Sequence, residues 1–146
     1  MQLPVVNHPD YVAKINDDNK FPIKKFGALA KHLLKTKIIT KFHIPQECSI
    51  ETMKTSHSLE YINQIKNKTL DIKLQKKIGF PINDSVVRRS FVATGGTVLA
   101  SKLALDSKLA CNTAGGSHHA TFNYGAGYCV FNDVAVAANY LKNKGY

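Results

Sequence analysis

His118 and His119 stand side by side between two glycine-bracketed turns, Gly115-Gly116 before them and Gly125-Ala126-Gly127 after, with Cys129, Asn132 and Asp133 close behind. Imidazole is the side chain best suited to proton transfer near neutral pH, so such a pair can accept a proton, return it, or stabilise a developing charge. The flanking glycines let the backbone approach a substrate closely and adopt positive φ. Cys129 adds a thiol, but nothing beside it marks an activated nucleophile, so the segment points to imidazole chemistry rather than thiol attack. A His-His pair taken alone reads equally well as two ordinary loop residues.

The surrounding pattern supplies the elements that must hold this segment. Leu3-Pro4-Val5-Val6 is a short apolar run fit for a first strand, and the polar residues 10–22 read as a loop. Phe26, Leu29, Ala30, Leu33 and Leu34 fall at helical spacing and predict a helix over 23–35. The β-branched run Lys37-Ile38-Ile39-Thr40-Lys41-Phe42 predicts a strand, ended before Pro45. Short helices are expected over 46–76, one of them capped by Ser58, with a turn at Gly79 and Pro81. The longest helix should run over about 85–105, capped by Asp84 or Ser85. Its internal Gly95-Gly96 pair costs about 1 kcal/mol per glycine relative to alanine, which implies close packing against a neighbouring strand. Leu109-Ala110-Cys111-Asn112 reads as a core strand running into the glycine loop, Asn132-Asp133 as the cap of a last helix over 134–141, and Gly145 as the residue just past it. Strand, helix, strand, loop, helix is an α/β order with the chemistry in loops at strand ends.

Composition narrows the class. The 146 residues suffice for one domain with a real core, and 44% hydrophobic with 21% charged residues is ordinary for a globular protein. No secretory leader and no apolar run of membrane-spanning length is apparent, so a cytoplasmic chain is expected. Cys48, Cys111 and Cys129 are odd in number and show no paired spacing, so they read as free thiols, the first two as packing residues. The net charge of +10 comes from scattered lysines without interleaved aromatics. That is a solvated surface rather than a nucleic-acid stripe, although acidic segments of a missing half could also balance it.

The run Gly115-Gly116-Ser117-His118-His119-Ala120, followed by Gly127-Tyr128-Cys129-Val130-Phe131-Asn132-Asp133, resembles the core of the histone deacetylase superfamily. The likeness is to the class IV-like and bacterial histone deacetylase-like amidohydrolases, and it extends upstream. Pro4-Val5-Val6-Asn7-His8-Pro9-Asp10-Tyr11 resembles their opening strand and loop. Phe21-Pro22-Ile23-Lys24-Lys25-Phe26 resembles their Phe-Pro-Met-Arg-Lys-Phe stretch, and Ser56-His57-Ser58-Leu59-Glu60-Tyr61 their Val-His-Ser-x-Glu-Tyr element. The segment from Arg88 to Thr97 fits as well. The resemblance covers nearly the whole chain, but only about the first half of the family's catalytic domain.

It implies a three-layer arginase/deacetylase-like α/β fold with a mainly parallel sheet, cut to its N-terminal half, with 1–146 forming one part of a single catalytic domain. It implies a zinc-dependent amidohydrolase acting on acetyl-lysine or a small acylated amine. His119 resembles the general base and acid, and His118 the neighbouring histidine that supports the transition state. Gly127 carries over as a carbonyl that accepts the substrate amide N–H, Tyr128 as the aromatic wall of the acyl channel, and Cys129 as a neighbour of the metal pocket. The zinc ligands belong to an Asp-x-Asp-x-His run expected beyond Tyr146, so none is expected in this chain, which would be inactive alone and need a complementary C-terminal segment. The pattern also departs from the family. Pro81 stands where a rim aspartate is usual, with Asn83 or Asp84 as possible substitutes. Lys24 stands where many members line an internal cavity with arginine. A non-catalytic remnant or interaction subunit is the alternative reading.

Overall fold

The computed structural model describes residues 3–146. At its centre are two valines. Strand β1, Val5–Val6, is buried on both sides and pairs in parallel with β2, Cys111–Asn112, Val5 opposite Cys111 and Val6 opposite Asn112. On its other edge β1 holds one parallel bridge to His43, whose N–H donates to the Val5 carbonyl at 2.9 Å. The first strand is therefore where the apolar run placed it, and the fold is α/β with a small parallel sheet.

The strand expected over 37–42 does not form. After α1, Lys25–Lys35, the chain turns at Thr36 and at Lys37, whose φ is 56°. Only Ile39 is drawn inside, and only His43 reaches the sheet. β-branched residues make a strand only where a partner edge is in reach. Helix α1 lies where its spacing predicted, yet only Phe26 is buried, while Leu29 and Leu34 remain 43% exposed.

Three short helices follow: α2, Ile50–Met53; α3, Leu59–Lys66, capped by Ser58; and α4, Ile72–Ile78, capped by Asp71 and closed by Gly79 at φ 87°. Helix α5, Asp84–Ser107, is the long helix expected, but its cap is Asn83, which accepts from the Val86 amide. Ser85 instead accepts from Lys14 N–H. Helix α5 packs on β1, β2, the turn at Pro9–Tyr11 and α6, Asp133–Asn143. Its two glycines allow that contact. A Cβ on Gly96 would stand 2.1 Å from the Tyr11 hydroxyl and 2.8 Å from Asn112 Nδ2, and one on Gly95 would stand 2.1 Å from the Gln46 carbonyl oxygen. Gly96 thus meets the neighbouring strand as expected, and Gly95 meets the extended chain before α2. Tyr11, Met53, Ile62, Ile65, Val92 and Val136 fill the core between these elements.

Two expectations about burial fail on β2. Leu109 is 63% exposed and Cys111 is exposed, so this strand lies at a surface of the described residues; Cys48 is the cysteine buried as expected. Among the described residues no helix is long and apolar enough to cross a membrane.

Candidate active site

The first turn of α6 organises the loop that carries the two histidines. Asn132 supplies the expected cap, its Oδ1 accepting from Ala135 N–H at 2.9 Å. Asp133 does something else. Its carboxylate is turned back into the fold, 2% exposed, and accepts the amides of Gly116 at 3.0 Å and Ser117 at 2.6 Å, together with the Thr97 hydroxyl of α5. Charge-assisted bonds of this kind are stronger than neutral ones, and a carboxylate in a first turn also gains from the helix dipole. Sequence reasoning took Asn132-Asp133 as one capping unit. The signal it passed over is redundancy, because a helix start served by asparagine has no need of the next aspartate as a cap.

The loop presents His118 and His119 at the surface, ring centroids 4.2 Å apart. His118 Nδ1 lies 2.9 Å from the Gly116 carbonyl, an acceptor only, so in the neutral ring Nδ1 holds the proton and Nε2 is free. The His119 ring rests against the backbone of Gly127, where an added Cβ would stand 3.3 Å from its Cδ2. Gly127 and Tyr128, at φ 54° and 65°, form the two central residues of a tight turn closed by hydrogen bonds between Ala126 and Cys129. Positive φ at both positions is the mirror-image turn geometry, costly for a tyrosine, and such strain persists only where surrounding structure imposes it. Here α4 imposes it, with Gly127 N–H donating to the Lys77 carbonyl and Tyr128 N–H to that of Ile78. The Gly127 carbonyl accepts only a long bond from the Cys129 thiol, 3.6 Å from sulfur to oxygen. Tyr128 packs on Phe21 and Phe80 at 5.0 and 5.4 Å between centroids.

His118, His119, Gly127, Tyr128 and Cys129 thus line one cavity of about 240 Å³, and all five residues singled out from the sequence meet there. Sequence reasoning missed Arg89 on the same wall. Its side chain is 5% exposed, donates from Nε to the Tyr11 carbonyl at 3.0 Å, and lies 4.9 Å from the Phe26 ring centre and 5.9 Å from those of Phe21 and Phe80. Burial pushes its guanidinium down to about 10, against the pull of Tyr11 and Asp133, so it stays charged at neutral pH. Its signal in the sequence was rarity, one of two arginines among eighteen lysines. Lys24, the expected cavity cation, instead pairs at the surface with Asp17 at 2.9 Å, and its neighbour Lys25 reaches the cavity. The proposed stand-ins for a rim aspartate are occupied elsewhere: Asn83 caps α5 and donates to the Lys14 carbonyl, and Asp84 pairs with Lys68.

Among the described residues no group of three or more His, Cys, Asp or Glu is placed to hold a metal ion. A catalytic zinc takes three protein ligands, and the donors of this cavity do not make that set.

The histone deacetylase domain model matches residues 20–146. An uncharacterized protein of Picosynechococcus sp. is 41% identical over 147 residues, covering 99% of this chain and 49% of that protein. Histone deacetylase 2 of Arabidopsis thaliana is 28% identical over 136 residues, 82% of this chain and 33% of that protein. The acetoin utilization protein AcuC of Staphylococcus aureus is 25% identical over 142 residues, 88% of this chain and 36% of that protein. The chain therefore spans half or less of each of these relatives. In structure it resembles a histone deacetylase homologue solved with SAHA, at TM-score 0.80 and 21% identity, and the homologue from Aquifex aeolicus, at 0.79 and 22%. Each match covers the whole of this chain and 42% of that structure, and establishes the shared fold.

Proposed function

Because this chain belongs to the histone deacetylase domain family, we propose that its cavity serves the hydrolysis of an acylated amine, acetyl-lysine or a small acylated amine, and that residues 1–146 are the N-terminal part of one catalytic domain. The observation that carries this reading is the meeting of His118, His119, Gly127, Tyr128 and Cys129 around one cavity. His119, exposed and braced by the Gly127 backbone, takes a proton from the attacking water and returns it to the leaving amine. His118, with Nε2 free, supports the charge that develops on the acyl oxygen. The Gly127 carbonyl accepts the substrate amide N–H, and Tyr128 with Phe21 and Phe80 forms an apolar wall for the acyl-bearing chain. Cys129 fills space behind the site and takes no part in bond making. The relative named for deacetylation and the neighbour solved with SAHA support this substrate class.

Zinc is the cofactor the family implies, and the described residues do not make its ligand set. Its donors would come from a complementary C-terminal segment, so the chain alone is inactive on this reading. The partners are that segment and the acylated substrate, with no membrane and no nucleic acid. The free cysteines fit a cytoplasmic setting. A non-catalytic interaction subunit is the competing reading, favoured by the exposed Leu109 just before β2 and Cys111 within it.

Fusing this chain to the remaining half of the Picosynechococcus relative decides between them. Zinc-dependent turnover of an acetyl-lysine peptide or an acetylated polyamine is expected, lowered about 10²–10⁴-fold by His119→Ala. Turnover indifferent to His119, or abolished by Cys129→Ser, overturns the assignment. A folded fusion with no turnover favours the interaction subunit.

A further inference from the structure

His57 lies 1% exposed beneath the histidine loop, and both of its ring nitrogens are used. Nδ1 stands 2.9 Å from the Thr121 carbonyl, and Nε2 stands 2.9 Å from the backbone nitrogen of Asn132. These partners determine the tautomer. A backbone N–H can only donate, so Nε2 carries the lone pair; a carbonyl can only accept, so Nδ1 carries the proton. Thr121 follows directly on His118-His119-Ala120, and Asn132 opens α6 immediately before Asp133. The ring therefore joins the far end of the loop to the turn whose next residue holds its near end, at Gly116 and Ser117. Asn132 reinforces the same joint, its Nδ2 donating to the carbonyls of Ala120 at 3.2 Å and His118 at 3.4 Å.

We infer that His57 is a positioning residue of this site, a neutral imidazole with its proton on Nδ1 that clamps the exit of the His118–His119 loop to the first turn of α6. The inference rests on reading that loop as the active site. The clamp depends on the ring being uncharged, because a proton added to Nε2 of this buried ring would confront the Asn132 N–H, donor against donor. The titratable groups around it do not replace that bond. Tyr61 of α3 packs against the ring at 5.9 Å but donates its hydroxyl to the Val130 carbonyl. Asp133 is committed to Gly116 and Ser117, and His118 is held at the Gly116 carbonyl. Phe131 covers another side of the ring, centroids 5.3 Å apart. Burial holds His57 below the ordinary histidine range. The unfolded chain binds this proton below about pH 6.5 and the folded chain only at lower pH, so the clamp contributes fully above that value and fades as pH falls.

NMR of the histidine-labelled 146-residue chain tests this without any assay of turnover. At pH 7.5 the His57 ring should show the Nδ1–H tautomer. Hydrogen exchange of the Asn132 amide, corrected for intrinsic rate, should rise about tenfold in His57→Phe, the scale of one lost hydrogen bond. It should stay slow in His57→Gln, whose Oε1 can still accept from Asn132. The ring signals of His118 and His119 should shift in the Phe variant, and return with Gln. An Nε2–H tautomer or a charged ring at pH 7.5 overturns the inference. So does Asn132 protection unchanged in His57→Phe. Should that variant fail to fold, the tautomer of the unaltered chain decides alone. An inactive fusion with these signatures intact counts against the functional reading and leaves the clamp standing.

Discussion

Two loops meet at the aromatic wall of the cavity, residues 114–132 with the histidines and residues 12–24 with Phe21, and their charged groups hold them differently. The histidine loop is tied through buried groups. Asp133 and His57, 2% and 1% exposed, bind its backbone at both ends, and Asn132 takes two of its carbonyls. The other loop buries Ala13 and Ile23, and Asn19 donates to the Gly79 carbonyl, but its charged ties lie at the surface. Lys24 pairs with Asp17, both side chains more than four-fifths exposed, and Lys14 meets Ser85 and Asn83 where α5 begins. Hydrogen bonds inside a protein are electrostatically stronger and expensive to leave unmade, whereas exposed ion pairs are screened by water and salt. The loop that carries the two imidazoles is the one whose charged anchor is buried. On the proposed function that difference accords with the need to preorganise groups that do chemistry.

This contrast can be broken by measurement. Asp133→Ala should have the largest effect, a loss of about 3 kcal/mol in urea denaturation, because two backbone amides and the Thr97 hydroxyl lose a charged acceptor at once. A loss below about 1 kcal/mol would mean that the buried anchor is not what holds this loop. Asn132→Ala should fall between, costing about 1–2 kcal/mol through the lost cap and the released carbonyls of His118 and Ala120. Lys24→Ala should leave the urea midpoint unchanged within error, since its pair with Asp17 lies in solvent. A shift comparable to that of Asp133→Ala would erase the distinction between the two loops.

The five residues that the family resemblance singled out meet at one cavity, and part of the reason is local. Glycines at 125 and 127, the adjacent histidines and the Gly127-Tyr128-Cys129 run lie within a short stretch, so the turns that bring them near one another are written locally, although α4 holds the Gly127-Tyr128 turn in place. The caps at Ser58 and Asn132 and the glycine past α6 were legible for the same reason. The strand expected over 37–42 failed because a strand needs an edge to pair with, and no local pattern reports whether one is in reach. Helix α1 shows the same limit in milder form. Its apolar spacing specified a helix, but whether Leu29 and Leu34 find a partner is a property of the packed whole.

What the sequence determined by itself is therefore what short-range chemistry decides: helix periods, caps, turns, and a histidine pair set among glycines. What only the tertiary structure decided is which distant groups stand behind that pair. Asp133 could be read from the chain as a cap, Arg89 as a surface charge and His57 as one more histidine. Each acquired its place because folding buried it, and a buried polar group must find a partner from whatever the packed interior brings near, in these cases the amides of Gly116 and Ser117, the carbonyl of Tyr11 and the amide of Asn132.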